Sequence, residues 1–376
     1  METNTTAPLL SLIEGDPFRS LGAKFHFGPV PAAFLVLCAS WGVTAILAVY
    51  EGLHRSDNVR ENLFLDLAAF GQFWLCLPLV LFAALPLDRH IRNAGNHLRV
   101  SGLLTPRQHT ALDADFAALA KFRASVWPTV GLMILAVLLS VSWYLGEWSS
   151  GVSTWYQPIR DGHKRVSYPG LWAVCVAVPT LNFVVLRMAF RLLLWSWFLK
   201  RVSQQKLALD ASHPDQSGGL AFIGRVQAKF GVLIFVVGFM VMTTIAYKLY
   251  MDGASFGEFA VWGPALGFVI LAPLTFMLPL LVFSPQLFAT KRTASLRFDA
   301  DALSYLAEPK RAQLEHGSYC DFLEKYRTAQ KMHLIPFDLV TAARLIATAV
   351  APMAPLLPKL LSFLGINTSF PFHSTM

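Results

Sequence analysis

Residues 168–201 read YPGLWAVCVAVPTLNFVVLRMAFRLLLWSWFLKR, and this stretch decides the fold. About 20 apolar residues cross the hydrocarbon core of a bilayer, and this run is longer than that. It carries two arginines, Arg187 and Arg191, one helical turn apart and so on one face. Directly after it comes LALDASHPDQSGGLAFIG, residues 207–224, the densest cluster of turn-forming and titratable residues in the chain.

Working outward, further runs of the same kind appear at about Val30–Tyr50, Leu63–Leu87, Val126–Leu145, Pro169–Phe198, Phe230–Tyr250, Ala260–Leu287 and Phe337–Phe363. The last is interrupted by Arg344 and by Pro352, Pro355 and Pro358. The reading is an all-α, polytopic helical membrane protein with about seven transmembrane helices. A composition of 55% hydrophobic and 14% charged residues lies outside the soluble range and agrees. The N-terminal stretch lacks a basic start followed by an apolar core and a small-residue cleavage site, so the first span is expected to stay in the mature protein.

The +8 net charge raises the question of nucleic acid. The basic residues sit in alternate loops between spans, so topology explains them and no nucleic-acid partner is expected. Arg89, Arg92, Arg99, Arg107, Lys121 and Arg123 follow span two, Lys200, Arg201, Lys206 and Arg225 follow span four, and a further basic segment follows span six. This bias places the N-terminus inside. The expected organisation is a cytoplasmic segment 1–29, a six-span membrane domain 30–287, a cytoplasmic helical segment 288–333, and a seventh span with a tail, 334–376. Within the membrane domain, 105–123 is expected as a cytoplasmic helix and 207–224 as a loop. Thr105-Pro106 is a helix start, and Pro309 divides the later cytoplasmic segment into two helices. Trp143, Trp148, Trp155 and Trp172 fit an aromatic belt around the outer loop.

Three constellations carry chemistry. Arg187 and Arg191 either line an inner mouth or anchor at the cytoplasmic interface, since an arginine costs at least ~2.5 kcal/mol inside hydrocarbon. Asp88, Asp215 and Asp338 lie at a matching depth, and Asp338 and Arg344 join the inner-mouth candidates. The second constellation is the loop His213-Pro214-Asp215 with Gly218 and Gly219. Pro214 fixes φ, Asp215 favours a turn, the glycines permit positive φ, and Ser217 is a candidate cap for the helix entering span five. A metal, proton or anion site at His213 and Asp215 is the alternative to this structural account. The third is the set of prolines inside spans (Pro78, Pro128, Pro179, Pro273, Pro279), which free backbone carbonyls as broken, conduit-lining helices do.

The histidines lie outside the span centres, which leaves a bis-histidine haem without ligands. No phosphate loop, HExxH or GxSxG motif occurs, and the four cysteines have no paired spacing. No catalytic residue, metal ligand or cofactor is therefore assigned.

The stretches VVLRMAFRLLLWSWFLKRVS, SHPDQSGGLAFI, PLLVFSPQL and MHLIPFDLV together resemble a family of uncharacterised bacterial multi-pass membrane proteins with an HPD-x-x-GGL cytoplasmic loop. This chain has Gln216 and Ser217 where relatives commonly carry Arg and Ala, and Ala221 where they often carry Gly. The resemblance implies the inner membrane and supplies no activity. The leading expectation is a homo-oligomeric channel or transporter-like conduit for ions or small solutes. The alternatives are a non-conducting sensor or scaffold recruiting a cytoplasmic partner, and a membrane enzyme at the cytoplasmic interface.

Overall fold

The computed structural model describes residues 29–56, 58–149, 151–250, 255, 258–307, 316–336 and 339–356. Six helices are long and apolar enough to cross a membrane. They are α1 (Val30–Tyr50), α2 (Leu67–Val100), α4 (Val126–Ser149), α5 (Tyr168–Ser203), α6 (Ala221–Leu249) and α7 (Phe259–Leu281). The shorter helices are α3 (Pro106–Ala124), α8 (Ser284–Ala307), α9 (His316–Gln330) and α10 (Leu339–Val350). One two-stranded antiparallel hairpin, Ile159–Arg160 with His163–Lys164, is the β-structure of the described residues. The all-α polytopic class stands.

Local chemistry sets the helix starts. Asp66 accepts the N–H groups of Ala68 and Ala69 through Oδ1, so α2 begins at Leu67 rather than at Leu63. It then runs through Pro86 to Val100, well past the expected end at Leu87. At α3, Gln108 Oε1 accepts from the Thr105 backbone N–H at 2.7 Å and Pro106 opens the helix, as the Thr-Pro signal predicts. Span six was expected to reach Leu287. Instead α7 stops at Leu281 and α8 starts anew at Ser284, with Pro285 in its first turn.

The seventh segment differs from a continuous span. Its helix is α10, 12 residues long, and it tightens into a 3₁₀ turn over Ala351–Leu356, where Pro352 and Pro355 withhold backbone N–H donors. It nonetheless lies along α6. Ala349 and Met353 pack on the main core, and Leu356 sits with Met242, Ile245 and Leu249. Residues 357–363 lie outside the described residues, as does the N-terminal segment 1–28.

The main core runs down the centre of the bundle and is apolar, with Leu77, Leu181, Met188, Trp195, Phe230 and Leu280 packed together. Helix α5 has 36 residues, about 54 Å, and so exceeds the ~30 Å hydrocarbon thickness. Its last turns, Trp195, Phe198, Leu199 and Val202, are buried on the side where the lysines and arginines concentrate. That basic side carries α3, α8, α9 and the loop 204–220. The far side carries a folded cap made of residues 51–56, 58–66 and 151–167.

Three spans contain a π-helical turn, at Cys38–Gly42 in α1, Gly71–Cys76 in α2 and Ala173–Ala177 in α5. A polar side chain links each one to a neighbouring span. Trp172 Nε1 donates to Ala39 O at 2.9 Å, Ser140 Oγ donates to Val174 O at 2.8 Å, and Gln72 Nε2 donates to Thr243 Oγ1 at 3.4 Å. Wide turns that strain the i→i+4 ladder are thereby supported from outside.

Candidate functional site

Arg187 and Arg191 do lie on one face of α5. Both border a small cleft against Pro128, Thr129 and Leu132, the first two turns of α4. Since Leu132 is six residues into α4, the pair sits within about 10 Å of where that helix begins. That is near one end of α4 and not at its middle. Arg191 is buried at 5% exposure, and the Arg187 guanidinium lies 6.0 Å from the Phe183 ring centroid. Asp88, read as lying at a matching depth, is buried and holds Arg92 at 3.2 Å. Arg344 is exposed on α10, and Asp338 lies outside the described residues.

The His213–Gly219 loop is a built corner. Asp215 Oδ1 accepts the N–H groups of Ser217 at 2.9 Å and Gly219 at 3.0 Å, and Oδ2 accepts that of Ala221 at 3.1 Å. The cap on α6 is therefore Asp215, not Ser217. Asp215 reaches further, and its two oxygens serve three donors where a hydroxyl would serve one. His213 Nδ1 lies 2.8 Å from Asp215 Oδ1. Burial pushes the Asp215 carboxyl up, but the three amides and His213 outweigh it and hold the group below the usual carboxylate range. Gln216 has φ 54°, Gly218 64° and Gly219 92°, so three of four consecutive residues turn left-handed. A Cβ on Gly218 would meet Met332 Cε at 3.1 Å.

The corner also gathers the basic side into one platform. His333 N–H donates to Gln216 O at 2.7 Å, and Lys291 Nζ to Met332 O at 2.7 Å. Gln286 Nε2 donates to Gln205 O at 2.8 Å, Gln108 Nε2 to Lys206 O at 3.0 Å, and Ala208 N–H to Leu103 O at 2.9 Å. Rings of Phe298, Phe322 and Tyr326 lock α8 to α9. Among the described residues, no group of three or more His, Cys, Asp or Glu side chains could hold a metal ion.

The outer loop between α4 and α5 is folded, and it packs on Glu61 and Asp66, a pairing the sequence did not show. Trp155 is buried, not part of an exposed aromatic belt, because its Nε1 donates to Asp66 Oδ2 at 2.8 Å. Tyr156 is buried beside it, and burial pushes its phenol pKa up. Glu61 accepts from Ser56 at 3.2 Å and from Ser153, and lies 3.5 Å from the Arg160 guanidinium. Lys164 Nζ donates to the carbonyls of Glu147 at 2.6 Å and Trp148 at 3.0 Å. Beneath this cap, between α2 and α6, is a cavity of about 470 Å³ whose walls include Arg60, Asp66, Tyr156, Met242, Thr243 and Ala246. No single motif marks it, since its walls come from three separated stretches.

No family model, curated protein or solved structure matches this chain.

Proposed function

We propose that this multi-pass membrane protein is a non-conducting scaffold or sensor of a bacterial inner membrane. Its basic platform faces the cytoplasm and recruits a soluble partner. The supporting observation is the platform itself. Four backbone and side-chain hydrogen bonds tie the corner at 204–220 to Leu103, Gln108, Gln286 of α8 and His333, and a fifth ties Lys291 of α8 to Met332. A surface fixed in this way loses little conformational entropy on binding a partner. Leu296 and Leu303 lie one heptad apart on α8 and are 64% and 67% exposed, which offers apolar contact area on that surface.

A homo-oligomeric conduit for ions or small solutes is the second reading, and α4 favours it. Ile134, Leu138 and Leu145 are each more than half exposed, which leaves a face for lipid or for another copy of the chain. In that reading the path runs between copies, because the centre of each bundle is filled by Leu77, Leu181, Met188 and Phe230. No catalytic role is proposed for His213 or Asp215, whose bonds account for the corner they build.

The two readings separate in proteoliposomes. The scaffold reading expects potassium, chloride and small-solute leakage no faster than from empty vesicles. It also expects a photo-crosslinker at Leu303 to give one discrete adduct with a soluble protein in cells. Flux above the empty-vesicle rate would sink the scaffold reading. Cysteines at His213 and Asp161, both exposed, should label from opposite faces of the membrane; labelling from one face would overturn the topology.

A further inference from the structure

We propose that the cavity under the far-side cap binds an uncharged lipophile with a carbonyl at its polar end, entering sideways from the membrane. At about 470 Å³ the cavity falls within the range of small-molecule sites.

The balance of charge in the wall excludes an ion. Among the described residues the wall holds one cation and one anion, Arg60 and Asp66. Both are engaged within the protein. Asp66 takes the backbone N–H groups of Ala68 and Ala69 and the indole N–H of Trp155, and Arg60 is engaged as well. A charged ligand would lose its hydration here and also meet one like charge, whereas an uncharged ligand does neither.

Most of the remaining wall is apolar. Phe239, Met242 and Ala246 line the α6 side, and Leu65, Leu67 and Ala68 the α2 side. Leu65 and Leu67 are 49% and 82% exposed, and the exposure continues along α2 through Phe70 and Trp74. The cavity therefore opens onto the apolar outer face of a span, which a lipophile reaches without leaving the membrane. Phe239 is held in place by α2, since its ring occupies the space that a Cβ on Gly71 would enter at 2.4 Å. A wall fixed in this way needs little ordering when a ligand binds.

Hydroxyl groups supply the polar end. Thr154 and Tyr156 close the cavity on the cap side, and the Tyr156 phenol hydrogen-bonds the Thr154 hydroxyl. Thr154 Oγ1 also accepts the Gln157 N–H at 3.2 Å. The two hydroxyls hold two hydrogens and their mutual bond uses one, which leaves the other for a ligand acceptor. Burial pushes the phenol pKa up, so Tyr156 keeps its proton. Thr243 makes no second donor, because its hydroxyl donates to Met240 O at 2.9 Å. One donor at the end of an apolar cavity matches one carbonyl.

The test uses the purified full chain in detergent and a diazirine-bearing monoacylglycerol as photo-probe, with adducts mapped by peptide mass spectrometry. Adducts are expected on residues 59–68, 154–156 or 239–247. Unlabelled monoolein, with an ester carbonyl, and a short-chain ubiquinone are the competitors. The better of the two should compete about fivefold more strongly than an alkylglycerol ether, which lacks the carbonyl. It should compete about tenfold more strongly than oleate or oleylamine. Whichever competes better names the source of the carbonyl, an ester or a quinone, and either supports the proposal. Tyr156→Phe should remove the preference over the ether without abolishing the adduct. Ala68→Phe and Ala246→Phe, filling the cavity from opposite walls, should each suppress it. Adducts spread evenly over the exposed spans, or the ether or either ion competing as well as the carbonyl compounds, would overturn the proposal. Those comparisons are made on the unmodified protein, so they decide even where a variant fails to fold.

Discussion

The backbone N–H of His333 donates to the carbonyl of Gln216 at 2.7 Å, joining the end of the basic segment after span six to the left-handed corner before α6. Gln216 holds φ 54°, a conformation that costs a side-chain-bearing residue energy and persists only where its surroundings enforce it. Here the enforcing bonds come from Asp215 on one side and His333 on the other.

Gly218 should be the most sensitive position in this corner. A β-branched residue at φ 64° is strained, and its Cβ would press on Met332. We expect Gly218→Val to cost about 1–3 kcal/mol. The exposed His213→Ala should stay within about 0.5 kcal/mol. Thermal melts in detergent compare them, and equal losses at both positions would refute this account.

Asp215 gives the corner a pH signature. Its folded pKa lies below the ordinary value, so ionised Asp215 stabilises the fold above that ordinary value of about 4. That stability is lost as pH falls through the folded pKa. Asp215→Asn should cost roughly 0.5–2 kcal/mol at neutral pH, the usual worth of a helix cap. It should also flatten the acid limb of the melting-temperature profile. A variant that keeps the full acid dependence of the parent would show that another group carries it.

Gly170 fastens the far-side cap to α5. A Cβ there would fall 2.1 Å from the carbonyl oxygen of Tyr156, which is backbone and cannot rotate away. Gly170→Ala should therefore lift the cap and destabilise by about 1–3 kcal/mol. Limited proteolysis at residues 151–167 should speed up before the spans melt. An unchanged cleavage rate would mean the cap does not rest on this contact.

The two arginines should separate under conservative replacement. Arg191 is buried against Phe190 and Leu194, while Arg187 is half-buried over Phe183. Lysine can snorkel from the Arg187 position but has no planar fork to replace Arg191. We expect Arg187→Lys to fold within about 0.5 kcal/mol and Arg191→Lys to lose roughly 1–3 kcal/mol. Equal tolerance at the two sites, judged by detergent melts, would argue against this difference in burial.

Much of the frame was legible because its signals are local. The apolar runs located the six spans, Thr105-Pro106 located α3, and the glycines of the 213–219 loop declared its left-handed turns. What escaped the sequence depends on distance or on alternatives of similar local appearance. Trp155 looked like an interfacial tryptophan because its partner, Asp66, is 89 positions away. Ser217 looked like the cap because it sits closer to α6, yet Asp215 folds back over five residues to take Ala221. The cavity combines Arg60, Tyr156 and Thr243 from three stretches, and no one of these shows a pattern by itself.

The π-helical turns carry a historical consequence. Such a turn closes its bond over one residue more than an α-turn, so it is the shape an α-helix takes when it absorbs a single inserted residue. Removing that residue would restore the regular spiral and swing everything before it by about 100°. In α2 this would carry Asp66 and Leu67 away from the cap, and in α5 it would carry Gly170 off Tyr156. The chain is therefore expected to be intolerant of one-residue deletion at 38–42, 71–76 and 173–177. A lineage that shed one of these residues would have had to rebuild its far-side face.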